Sequence, residues 1–151
     1  MIAHPADSPP PVSTSEPLRD GPEPGGAGAR TPLISLCLIV GNVEEYIARC
    51  LESFAPIADE IVVVQAIGNQ VPDRTLELAR DVAIKHGLRF SFGAYRNAPG
   101  HEDWPHVDNF AAARQLCFDM ATGDYCFWCD TDDILLSGAE LIREHAERGG
   151  Y

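Results

Sequence analysis

The sequence predicts an α/β domain, a mostly parallel sheet of about four strands flanked by helices. Two observations carry that reading. An almost uninterrupted apolar run at 33–40, a β-branched run at 60–65, an alternating run at 88–92 and an apolar run from 125 each follow or precede a stretch with helical apolar spacing. Three carboxylates, Asp130, Asp132 and Asp133, also stand directly after the last run, at the kind of strand end where open α/β sheets bind ligands.

Residues 1–31 carry seven of the twelve prolines and four glycines, with no aromatic residue. They are expected to be a disordered tail, which leaves 32–151 as the folded domain. The run 33–40 reads as a central strand stopped by Gly41-Asn42. Asn42, with Glu45 three residues on, has the form of a capping box, and Tyr46, Ile47, Cys50, Leu51 and Phe54 then make one buried helical face. Pro56 ends that helix and 60–65 supplies the next strand. After a loop over 66–72, a helix is expected from about Asp73 to His86, stopped by Gly87. Leu88, Phe90 and Phe92 alternate as a third strand.

Residues 93–107 are irregular, broken by Pro99, Gly100 and Pro105, and this loop gathers His101, Asp103, His106 and Asp108 at the border of the site. Their short, interrupted spacing gives no fixed zinc geometry. Asp108 or Asn109 caps a helix over 110–121, for which Gly123 is the expected C-terminal stop. The stretch from Tyr125 reads as a buried fourth strand, and Ser137 with Glu140 as the capping box of a last helix.

A formal charge of -12 without a basic stripe excludes a nucleic-acid-binding surface. The start of the chain has neither the basic nor the apolar segment of a secretory signal, and no apolar run reaches the ~20 residues of a membrane span. The five cysteines, Cys37, Cys50, Cys117, Cys126 and Cys129, form an odd set and read as reduced core residues in a cytoplasmic protein. Cys126 and Cys129 have CxxC spacing, but on a strand such positions face opposite sides. Glycine-rich dinucleotide or ATP loops and a Gly-x-Ser-x-Gly elbow are absent from the sequence.

Four segments, in order, resemble the start of a family 2 glycosyltransferase. They are the strand into Asn42-Val-Glu-Glu-Tyr, the segment Asp59-Glu-Ile-Val-Val-Val with Pro72-Asp-Arg-Thr75, the segment Asp108-Asn-Phe-Ala-Ala-Ala-Arg114, and Thr122-Gly-Asp-Tyr-Cys-Phe-Trp-Cys-Asp-Thr-Asp-Asp133. The resemblance implies a Rossmann-like GT-A fold, of which this chain holds the donor half. It implies a nucleotide-diphosphate sugar as donor, bound by Asn42, Glu44, Gln65, Asn69, Arg114 and Asp130. It also implies Mg²⁺ or Mn²⁺ held by Asp130, Asp132 and Asp133, an ion for which oxygen ligands are suited, and transfer with inversion to an unidentified acceptor.

Gln65 stands where the family has an acid that reads the base, and the 66–72 loop is longer than the family's, which implies an altered base preference. Gly41 replaces the family's usual lysine. The acceptor half and the catalytic base lie downstream in the family, so no residue here is assigned as base. The acceptor site is then expected to be completed by further chain, by a partner chain or by an oligomer. The alternative is a truncated or degenerate module that binds nucleotide-sugar without turnover.

Overall fold

The computed structural model describes residues 30–149. The expected tail lies outside the described residues except for its last two positions, which have no regular structure. The strands β1 (Ile34–Val40), β2 (Glu60–Gln65), β3 (Arg89–Ala94) and β4 (Tyr125–Trp128) form one sheet in the order β3-β2-β1-β4. Every pairing is parallel. Four α-helices flank the sheet: α1 (Ile47–Phe54), α2 (Thr75–His86), α3 (Phe110–Met120) and α4 (Ala139–Glu147). This is the α/β, Rossmann-like architecture expected.

The two central strands explain why their sequences are almost continuously apolar. β2 is buried at all its positions and β1 at all but Ile39, as happens when a parallel sheet is covered on both faces. Leu36, Leu38, Val40, Ile61 and Val63 face one side and pack with Ile47, Cys50, Leu51 and Phe54 of α1 and Ala79, Val82 and Ala83 of α2. Cys37, Val62 and Val64 face the other side, against Cys117 of α3.

β4 departs from expectation. It is an edge strand, and its apolar run is only part-covered: Cys126 and Trp128 are exposed, while Tyr125 and Phe127 are half-buried. The reason is lateral. β4 has only β1 beside it, and α3 packs across β1, β2 and β3. The reading of all five cysteines as core residues is corrected at the same place: Cys37, Cys50, Cys117 and Cys129 are buried, but Cys126 is exposed.

Three expected helix signals do not act as such, and two of them are spent on tertiary contacts instead. Asn42 caps no helix. Its Nδ2 donates to Val71 O at 2.9 Å and its Oδ1 accepts from Asp73 N at 3.1 Å, so α1 starts only at Ile47, after a turn in which Val43 O accepts from Tyr46 N and Ile47 N. Gly123 does not end α3, which stops at the extended residue Ala121. Gly123 is needed for close approach, because a Cβ there would lie 2.6 Å from Ser35 Oγ and 2.9 Å from Leu33 O. Ser137 makes no capping box with Glu140; Gly138, at φ 87, is the residue before α4 and no side chain caps it. Two other signals act as expected. Asn109 Oδ1 accepts from Ala112 N at 3.0 Å at the start of α3, and Gly87 ends α2 in the left-handed region at φ 65.

At the N-terminal end of the sheet the two adjacent acids, Asp59 and Glu60, are both engaged. The buried Glu60 accepts from Ser35 Oγ at 2.5 Å and from Thr122 N at 2.9 Å, and Gly123 N donates to Ser35 Oγ at 2.8 Å. Burial pushes the Glu60 carboxyl up, but the bonds from Ser35 and Thr122 outweigh it and hold the group below its ordinary range. Arg143 of α4 grips Asp59 through both terminal guanidinium nitrogens, Nη1 and Nη2, at 2.8 and 3.0 Å. Among the described residues no helix is long and apolar enough to cross a membrane.

Candidate nucleotide-sugar site

Because all four strands run the same way, the segments that follow them leave from one end of the sheet. Asn42 follows β1 and the acids follow β4, its neighbour, so both stand at adjoining strand ends. Asn42 and Glu44 come together with the Asp73-Arg-Thr75 segment, and their side chains hold it. Glu44 N donates to Asp73 Oδ2 at 3.1 Å, Glu44 Oε2 accepts from Arg74 N at 3.1 Å, and Val43 N donates to Thr75 Oγ1 at 2.8 Å. Asp73 also accepts from Thr75 N at 2.8 Å. Burial raises the Asp73 carboxyl, and these donors reverse the effect and lower it.

The loop after β2 is clasped by the loop after β3. Gly68 adopts φ 60, and a Cβ there would sit 2.2 Å from Trp104 O. Asn69 donates through its backbone N to Trp104 O at 2.9 Å and through Nδ2 to Asp103 O at 2.8 Å, and Gln70 Nε2 donates to Pro105 O. The organising group of the second loop is Asp108. Its carboxylate accepts from Tyr95 OH at 2.8 Å, Ala98 N at 2.8 Å and His101 Nδ1 at 3.0 Å. A carboxylate only accepts, so His101 Nδ1 carries a proton. The bond from His101, with those from Ala98 and Tyr95, holds the Asp108 carboxyl down at about 2. His101 also stacks on Trp104, with ring centroids 3.9 Å apart. Hydrogen bonds and stacking therefore order this loop.

Gln65, at the end of β2, is buried, and its Nε2 has no hydrogen-bond partner among the described residues. A buried amide nitrogen left unpaired costs roughly 1–3 kcal/mol, so this donor is open to an acceptor from a ligand or from water.

Arg114 and Asp130 line one small cleft, with Ile39, Cys117, Trp128 and Cys129. The Arg114 guanidinium carbon lies 4.4 Å from the centre of the Trp128 ring, a cation–π contact that holds the charge beside the end of β4. Trp128 belongs to the site although its residue type alone marks no role there. Its signal was its place two residues before Asp130, on the face of the sheet that α3 covers.

The three acids differ. Asp133 Oδ2 accepts from Asp130 N at 2.9 Å and Asp133 N donates to Asp130 O at 3.1 Å, so Asp133 shapes the turn. Asp130 and Asp132 are exposed, and their carboxylates take no hydrogen bond from the described residues. Among the described residues no three His, Cys, Asp or Glu side chains converge as a metal cage. Two free carboxylates nevertheless fit Mg²⁺ or Mn²⁺ in the usual substrate-bound arrangement, where one or two acids share the ion with phosphate oxygens. Asp130 and Asp132 would hold it.

The loops and the free acids thus gather at the C-terminal strand ends, the place where open α/β sheets generally bind ligands. Residues 35–150 match the family model of glycosyl transferase family 2, and the chain belongs to that family. It is also 33% identical over 109 residues to a TPR repeat-containing protein of Synechococcus elongatus. The match covers 72% of this chain and 23% of that protein.

Proposed function

We propose that this domain binds the donor of a metal-dependent, inverting glycosyltransferase, a nucleotide-diphosphate sugar held across the ends of β1, β2 and β4. The observation that carries the reading is the cleft shared by Arg114 and Asp130, with the Asp132 carboxylate free two residues on. Arg114 supplies a fixed positive charge toward the nucleotide or diphosphate, a task suited to a planar guanidinium that stays protonated. Gln65 offers its unpaired Nε2 to an acceptor on the base. Asn42 and Glu44 contribute by holding the segment 71–74, and Asn69 by holding the 66–70 turn against its neighbour loop. A divalent ion on Asp130 and Asp132, when bound, offsets the charge that builds on the departing diphosphate. Asp133 supports Asp130 from behind.

Five thiols outside any disulfide fit a reducing compartment such as the cytoplasm. The acceptor is a second substrate, and none of the residues described is assigned as the base that takes its proton.

The test is calorimetry of the protein with UDP- and GDP-sugars in the presence of Mn²⁺, followed by an assay of released nucleotide with a pool of acceptors. Metal-dependent binding and release are expected. Binding without release would favour a nucleotide-sugar-binding module instead, and an Asp132→Ala variant with unchanged metal and nucleotide titrations would sink both.

A further inference from the structure

Behind the acid-bearing loop lies a pair of thiols. Cys50 on α1 and Cys129 at the exit of β4 are both buried, and their sulfurs are 4.0 Å apart. The Cys50 thiol also donates to Asp130 O at 3.5 Å, and three residues along the same helix Ser53 Oγ accepts from Leu135 N at 3.0 Å. α1 thus holds the loop 130–135 at two points, and one of them is a cysteine facing another cysteine.

We propose that Cys50 and Cys129 are an oxidation site, closed into a disulfide by a peroxide, and that closure displaces Asp130 and weakens cation and nucleotide binding. The binding half of this proposal rests on the donor-site reading; the covalent half does not. In the reaction one thiol of the pair, as its thiolate, attacks the peroxide, breaking the O–O bond to give a sulfenic acid and hydroxide. The second thiol then displaces the sulfenic oxygen, which leaves as water. Two thiols and hydrogen peroxide become one disulfide and two waters, each sulfur giving up one electron. No other reactant is needed.

The geometry connects this chemistry to the site. A disulfide requires a sulfur separation of about 2 Å, so the sulfurs must approach by roughly half their present distance. Cys129 directly precedes Asp130, and the S–H that now supports the Asp130 carbonyl is consumed. A dithiol reagent that reaches the bond reverses it by thiol–disulfide exchange. Cys126, three residues earlier, is exposed and faces the other side of the sheet, so it is a competing target and not a partner.

The test uses a Cys126→Ser protein treated with hydrogen peroxide. A non-reduced digest read by mass spectrometry should contain the Cys50–Cys129 cross-linked peptide, and Mn²⁺ with UDP should bind about tenfold or more weakly, the scale of losing a ligand's supporting contacts. Dithiothreitol should restore the affinity, and in Cys50→Ala or Cys129→Ala peroxide should change nothing. Absence of the cross-link, a link between Cys37 and Cys117 instead, or a Cys50–Cys129 link with undiminished binding would overturn the proposal. If the reduced protein binds neither Mn²⁺ nor nucleotide while the cross-link forms, the donor-site reading fails and the oxidation site stands.

Discussion

The two ends of the sheet treat their polar groups in opposite ways. At the N-terminal end, Asp59 and Glu60 are adjacent acids and both are fully used, one by Arg143 and Ile34, the other by Ser35 and Thr122. At the C-terminal end, the carboxylates of Asp130 and Asp132 have no partner among the described residues, and Gln65 keeps a buried nitrogen unpaired. A free group in water costs little, but a buried unpaired one is a standing cost to folding. Under the proposed donor site, the contrast separates residues kept for stability from residues kept for a ligand, and it can be broken by exchanging the measurements made on each.

The largest effect is expected at Glu60. Glu60→Ala strands the donors of Ser35 and Thr122 beneath the sheet, and urea denaturation should show a loss of about 3 kcal/mol. If stability is unchanged, the N-terminal network is not structural. Asp132→Ala should behave in reverse, with stability within about 0.5 kcal/mol of the parent, as for a surface change, but with the Mn²⁺-dependent nucleotide titration abolished. Gln65→Leu sharpens the comparison further. Removing the unpaired amide should leave stability equal or raised by about 1 kcal/mol, while nucleotide affinity falls by roughly tenfold; a destabilised variant with normal affinity would place Gln65 among the structural residues.

The smallest effect concerns Asp108 and is read through pH. Its carboxyl lies at about 2 in the folded protein, below the ordinary unfolded value near 3.9. Its contribution is therefore present above about pH 4 and is lost as pH falls toward 2. Melting temperature should drop across that window in the parent and less steeply in Asp108→Asn. Parallel curves would mean that the loop does not depend on this charge.

The same division explains what the sequence could reveal. β1 and β2 were readable because burial on both faces demands continuous apolar side chains, and the acids were readable because they sit where an apolar run stops. Asn42, Gly123 and Ser137 misled because each carries a local helix signal, while for the first two a distant segment, 71–73 or β1, offered a closer use. The edge position of β4 could not be inferred from its composition, since an apolar run does not say how many strands lie beside it. Asp133 looked equivalent to its neighbours until its bond to Asp130 N separated them. The pairing of Arg114 with Trp128 depended on the register of α3 against β4, which no local pattern carries.

That pairing has an optical consequence. The chain holds two tryptophans, Trp104 and Trp128, and Trp128 is half exposed beneath a cation that the donor's phosphates would attract. Indole emission responds to a nearby charge and to water, so a phosphate drawing the guanidinium away should alter the fluorescence of Trp128. A Trp104→Phe protein, excited where tyrosine does not absorb, would then be a label-free sensor with one indole, able to report occupancy and its time course whatever the donor sugar is.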